Sequence, residues 1–147
     1  MKRFLATILT VFTLFSMAAM PVTASASGPD DNGVSVISSD YLSSYNVYAK
    51  KGASSGKMDV TFMVRSPVRA TKIGVSQIEI CKASGAHVTT IYGSTSNGLQ
   101  AANTTIHGAT YTFTGTPGTE YIAKVTLYAA DSSGSDSRLI ITNSVTV

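Results

Sequence analysis

The residues able to carry chemistry are few. His87 and His107 are the only histidines and Cys81 is the only cysteine. A hydrolase needs a nucleophile or base held beside partners, and a metal centre needs converging ligands. The two histidines lie far apart with no third ligand at motif spacing, so turn or loop support is expected of them. Protonation of either would make a surface mildly pH-sensitive. One cysteine cannot form an internal disulfide, and the alternating neighbours of Cys81 point to a small apolar residue in a strand. A reactive thiol or an intermolecular pair is the alternative. Asp131 and Asp136 flank a serine-glycine turn, and Asp30 and Asp31 stand near the start of the chain. None has the dense acidic spacing of a calcium loop, so capping of turns is the expected role. Asp136 and Arg138 share one side of an extended segment and would form an exposed ion pair of little energetic weight. Neither a cofactor nor a metal is expected.

Tyrosines offer the better recognition chemistry. If Tyr121 faces a core, Tyr128 has the opposite parity and faces outward with Lys124. Tyr48 and Tyr92 are comparable candidates. A row of exposed tyrosines could anchor a protein or stack on a sugar, because the ring supplies apolar area and the hydroxyl a hydrogen bond. The chain has no tryptophan, the strongest sugar-stacking side chain, which ranks a glycan below a protein or cell-surface ligand. Asn103-Thr104-Thr105 matches a glycosylation acceptor, although bonding to loop backbone is the more economical use of these side chains.

The elements that must hold these residues read as strands. Tyr45, Val47 and Ala49 share one face. Met58, Val60, Phe62 and Val64 alternate with Asp59, Thr61, Met63 and Arg65, a period of two that Pro67 is expected to end. Ile73 and Val75 are out of phase by one residue with Ile78 and Ile80, so a bulge is expected within residues 74–77. A short strand over residues 88–92 precedes a long loop, 93–105, with the turn pair Asn97-Gly98 and room for an edge strand near residues 99–101. Residues 110–114 carry Tyr111 and Phe113 on one face. Residues 120–129 alternate most clearly of all, with Tyr121, Ala123, Val125, Leu127 and Ala129 on one side. A polar turn at 131–137 leads into a last β-rich run, 139–147. Short strands without an amphipathic helix predict an all-β, antiparallel two-layer sandwich of immunoglobulin-like or fibronectin type III-like kind, with a small barrel as the alternative.

Residues 1–26 read as a secretory signal peptide: Lys2 and Arg3, then an uncharged run from Phe4 to Met20, then Pro21 and Ala24-Ser25-Ala26 as the cleavage site. A retained membrane anchor is the alternative. Residues 27–33 read as a flexible leader and 34–147 as the single domain. The chain has 11 basic and 8 acidic residues, a net charge of +3. Loss of Lys2 and Arg3 leaves an almost neutral domain without a basic tract, which excludes a nucleic-acid footprint. The expected molecule is a secreted, non-catalytic interaction module, extracellular or loosely surface-associated, that binds a protein or cell-surface partner. A carbohydrate-binding module and a small extracellular hydrolase are the alternatives. A bare sheet edge would also allow a homo-oligomer.

Two resemblances add to this reading. The run Gly115-Thr116-Pro117-Gly118-Thr119-Glu120-Tyr121, continuing to Ala129, resembles the approach to the sixth strand of a fibronectin type III domain, although that family's early tryptophan is missing. The resemblance implies a tyrosine corner at Tyr121, whose hydroxyl would bond back to nearby backbone. The spaced residues Lys72-Ile73-Gly74, Ile78, Ile80, Asn103, His107-Gly108, Gly115, Gly118, Tyr121, Ala123, Val125, Gly134 and Asp136-Ser137-Arg138 resemble a family of small secreted proteins of gut-dwelling Firmicutes with no assigned function. That likeness implies a Gram-positive exporter and a stand-alone extracellular domain, and no chemistry.

Overall fold

A computed structural model describes residues 34–35 and 39–147; the expected signal peptide and leader lie outside the described residues. Among the described residues ten strands follow one another: β1 (Val34–Ser35), β2 (Ser44–Lys51), β3 (Lys57–Ala70), β4 (Lys72–Lys82), β5 (His87–Tyr92), β6 (Gln100–Ala101), β7 (Thr104–Thr114), β8 (Glu120–Ala130), β9 (Ser135–Ile141) and β10 (Val145–Thr146). They form two antiparallel sheets. The first runs β1-β2-β3-β7; the second runs β10-β8-β4-β5, with β9 also on β8 and β6 also on β4. This is an all-β sandwich of two layers.

The core is what the alternation dictates. Met58, Val60, Phe62 and Val64 of β3 face Ile73, Val75, Ile78 and Ile80 of β4 and Ala123, Val125 and Leu127 of β8, all essentially without solvent contact. Removing a ring such as that of Phe62 would cost about 3–5 kcal/mol, so these inward rows dominate stability. The expected bulge is present: the β4–β8 register shifts between Val75 and Gln77. Ser76 is the extra residue. Its hydroxyl donates to the Thr126 carbonyl at 3.1 Å and its own carbonyl accepts the Gly93 N–H at 2.8 Å, so the bulge leaves neither group unsatisfied. Upstream, Gly74 has φ 139°, where a Cβ would come within 2.2 Å of the Leu99 carbonyl oxygen.

Two expectations need correction. Pro67 does not end its strand, because β3 continues to Ala70. The β3–β7 register is irregular between Arg65 and Ala70, and a proline is tolerated where no ladder N–H is required of it. The strand expected at 110–114 starts at Thr104 instead, so β7 takes in the last two residues of the expected loop 93–105. Threonine and glycine at its start hid the alternation. Within that loop β6 forms beside β4, and Asn97 organises the rest: its Oδ1 accepts N–H groups of Ser94 and Leu99, and its Nδ2 donates to the Tyr92 carbonyl at 2.8 Å. The turn expected at Asn97-Gly98 is present, with Gly98 at φ 73°.

The approach to β8 is closed by a turn from Thr116 to Thr119, bonded Thr119 N–H to Thr116 carbonyl at 3.1 Å, with Pro117 and Gly118 at its centre. Gly118 has φ 78°, as the third position of a type II turn demands. The Tyr121 hydroxyl accepts the Thr116 N–H at 3.0 Å, and its buried ring stands edge-on to Phe113 with centroids 5.0 Å apart. The bond from the Thr116 backbone draws this phenol below its ordinary range.

Candidate functional site

Register decides which side chains share a surface. On the second sheet, Lys124 is paired with Ile141 on one side and Glu79 on the other; Thr126 is paired with Leu139 and with Gln77, and Gln77 with Tyr92. Side chains at paired positions point to the same face, so Leu139, Thr126, Gln77 and Tyr92 make one row across four strands. At the usual strand spacing that row spans about 14 Å. Its two ends are apolar and open: Tyr92 is 71% exposed, and Leu139 and its neighbour Ile141 are each 59% exposed.

The middle of the face is polar and internally paired. Lys124 Nζ donates to Glu79 Oε1 at 3.0 Å, and the Cys81 thiol donates to the same oxygen at 3.1 Å. The bond from Cys81, followed by that from Lys124, holds the Glu79 carboxyl below its usual range. Glu79 in turn raises the Lys124 ammonium. Burial, and then Glu79, push the Cys81 thiol up, which keeps it protonated and a poor nucleophile. Cys81 is fully buried, yet it lies on the outer face of its sheet, outside the core cluster.

The four tyrosine and lysine candidates do not form one row. Tyr92, Lys124 and Tyr128 lie on the outer face of the second sheet, but Tyr48 pairs with Thr61 on the outer face of the first. The sandwich therefore puts Tyr48 on the opposite side of the molecule. Tyr128 and Lys124 are half-buried, because β8 is flanked by β4 and β9 and their side chains lie among neighbours. Parity along one strand gives direction, whereas exposure depends on the strand's place in the sheet. Leu139 and Ile141 escaped notice because they flank Ile140, which packs against the core. Three apolar residues in succession carry no phase. The only available signal was the run's position after a polar turn.

The remaining polar residues are used locally. His87 Nε2 lies 2.9 Å from Thr90 Oγ1, while His107 stands edge-on to Phe62 with Nε2 2.8 Å from the Gly98 carbonyl. The first is on the outer face and the second lies between the sheets, so the two do not meet. Asp131 caps its turn by accepting the Ser133 and Gly134 N–H groups. Asp136 pairs with Arg138 at 3.2 Å, and its carboxyl is held low, chiefly by a hydrogen bond from Ser39. Among the described residues no three His, Cys, Asp or Glu side chains gather as metal ligands, and no helix is long and apolar enough to cross a membrane. No protein-family model, curated protein or solved structure matches the chain.

Proposed function

We propose that this protein is a secreted, non-catalytic interaction module that docks a protein or cell-surface partner on the outer face of its second sheet. The observation that carries the reading is the cross-strand register that brings Tyr92, Leu139 and Ile141 onto one face around the Lys124–Glu79 pair. Full burial of a leucine or isoleucine side chain is worth about 1.5–3 kcal/mol. A surface ion pair is worth about 0–1 kcal/mol, so the apolar ends would supply affinity and the pair would set orientation. The export reading rests on the N-terminal sequence, and the likeness to small Firmicute proteins on the spaced residues already given.

Within that proposal the sandwich is fibronectin type III-like. With β2, β3 and β7 taken as strands A, B and E, and β5, β4, β8 and β9 as C′, C, F and G, the order is that of an immunoglobulin-like sandwich lacking strand D. The Tyr121–Thr116 bond is further support, since a tyrosine corner is expected there.

The test is titration of fluorescently labelled protein onto intact Gram-positive cells and epithelial cells. Saturable binding should weaken at least tenfold in the Leu139→Asp, Ile141→Asp double variant and stay unchanged in Tyr48→Ala. Absence of saturable binding, or loss caused by Tyr48→Ala alone, would sink the proposal. A glycan array that responds to the protein and falls silent on Tyr92→Ala would favour the sugar reading, for which the high exposure of Tyr92 is the motive.

A further inference from the structure

Strand β7 is the edge of the first sheet and pairs only with β3 among the described residues. Which of its main-chain groups are free follows from one bond. The Gly115 N–H donates to the Gly56 carbonyl at 2.7 Å, so that pair is hydrogen-bonded and the residues alternating with it point the other way. Gly108, Thr110, Thr112 and Thr114 thus turn N–H and C=O away from β3. The next residue of that set, Ile106, has both groups engaged by the Thr104 hydroxyl, which closes one end of the edge.

Natural sheet edges are guarded by lysine, proline or inward charges. β7 has none of these over its whole length, Thr104–Thr114. Beside it lies an open groove of about 530 Å³ between β7 and β5, lined by Val88, Thr89, Tyr111, Phe113 and Tyr121 among others, with no charged side chain. The groove exists because β7 packs over β4, which leaves β5 projecting one strand further and uncovered.

We propose that this edge and groove take up an extended, uncharged polypeptide segment, which adds a strand to β7 and sets alternate apolar side chains into the groove. Bare N–H and C=O groups at every second residue match an extended backbone. From Gly108 to Thr114 they span about 20 Å, the length of a six-residue strand. Charge selects a neutral segment: the groove lining carries no charged side chain, and the ionic groups bonded to the open stretch of β7, Asp59 and Lys57, are one of each sign and engaged by Thr112 and Thr114. The chain's own leader is a poor occupant, because it carries Pro29, Asp30 and Asp31 and precedes in sequence β1, which lies at the far edge of the sheet. A second folded copy is also a poor one. Pairing β7 with its twin would drive the two projecting β5 strands into the same space.

The experiment is amide NMR of ¹⁵N-labelled protein titrated with acetyl-Ser-Val-Thr-Val-Thr-Val-Ser-amide. Shifts should centre on Gly108, Thr110, Thr112 and Thr114 and on the groove residues. Two forms of the peptide, N-methylated on alternate sets of amides, should behave differently: the set turned to β7 abolishes binding and the other does not. Thr112→Pro removes one free N–H and should weaken binding at least tenfold. Val88→Lys places a charge at the groove while leaving the edge intact and should do the same. Equal binding of both methylated peptides, shifts mapping elsewhere, or no shifts at millimolar peptide would overturn the proposal. So would concentration-dependent shifts of the same amides in the protein alone, which would make a second copy the occupant.

Discussion

Tyr121 and Thr116, five positions apart, are joined across the turn before β8: the Thr116 N–H points into the Tyr121 hydroxyl at 3.0 Å, while the tyrosine ring is locked edge-on against Phe113. The pair fixes where β8 enters the second sheet. Tyr121→Phe keeps the ring and removes only the acceptor. A loss of about 0.5–1.5 kcal/mol by urea denaturation is expected, with an unchanged fold. No measurable loss would show that water replaces the hydroxyl at no cost.

The Lys124–Glu79–Cys81 cluster gives stability a pH dependence of known sign. Glu79 is held below its ordinary value of 4.5 in the folded chain. Its contribution is therefore complete above that value and is lost as pH falls through the lowered folded value. Wild-type protein should lose more stability between pH 7 and pH 3 than Glu79→Gln, compared by urea midpoints. Parallel curves for the two proteins would refute the linkage.

Cys81 should resist modification because burial hides the thiol and raises its pKa, with Glu79 as the second cause of that rise. Reaction with a disulfide reagent at pH 8 should be at least a hundredfold slower in the native protein than in urea. Glu79→Gln, which removes the smaller of the two causes, should speed it only modestly. Native labelling at the unfolded rate would contradict the placement of the thiol.

Gly74→Ala tests the latch between β4 and the long loop. A methyl group there would meet the Leu99 carbonyl oxygen and the Gln100 Cα, at a backbone angle that a side chain rarely adopts. A destabilisation of about 2–4 kcal/mol is expected. Faster hydrogen exchange of the Val75 N–H, which bonds the Leu99 carbonyl at 2.8 Å, should accompany it. Unchanged protection at Val75 would show that the loop relaxes freely.

Much of the fold is legible wherever period two runs unbroken. The strands through Phe62 and Val125 follow directly from alternation, and the phase slip between Val75 and Ile78 locates the bulge. Legibility stops where neighbours in space supply the information. β7 opens with threonines and a histidine whose strand character comes from pairing with β3, and Pro67 is accommodated by a local irregularity that its own type argues against. The candidate face was half visible: Tyr92, Lys124 and Tyr128 follow from parity, but excluding Tyr48 and adding Leu139 and Ile141 required the sheet assignment.

The single extra residue at Ser76 also governs how the gene can change. Upstream and downstream of it, β4 is read in two different frames of inward and outward positions. Deleting one codon from residues 78–80 would turn one of Gln77, Glu79 and Cys81 toward the core and remove or expose Ile78 or Ile80. Deleting Ser76 itself would leave Ile73, Val75, Ile78 and Ile80 at every second position, a single frame that a regular strand satisfies. Loss of a residue should therefore be purged from 78–80 and better tolerated at Ser76 and at the polar turn 131–134, a contrast that an indel scan with a folding reporter would map directly.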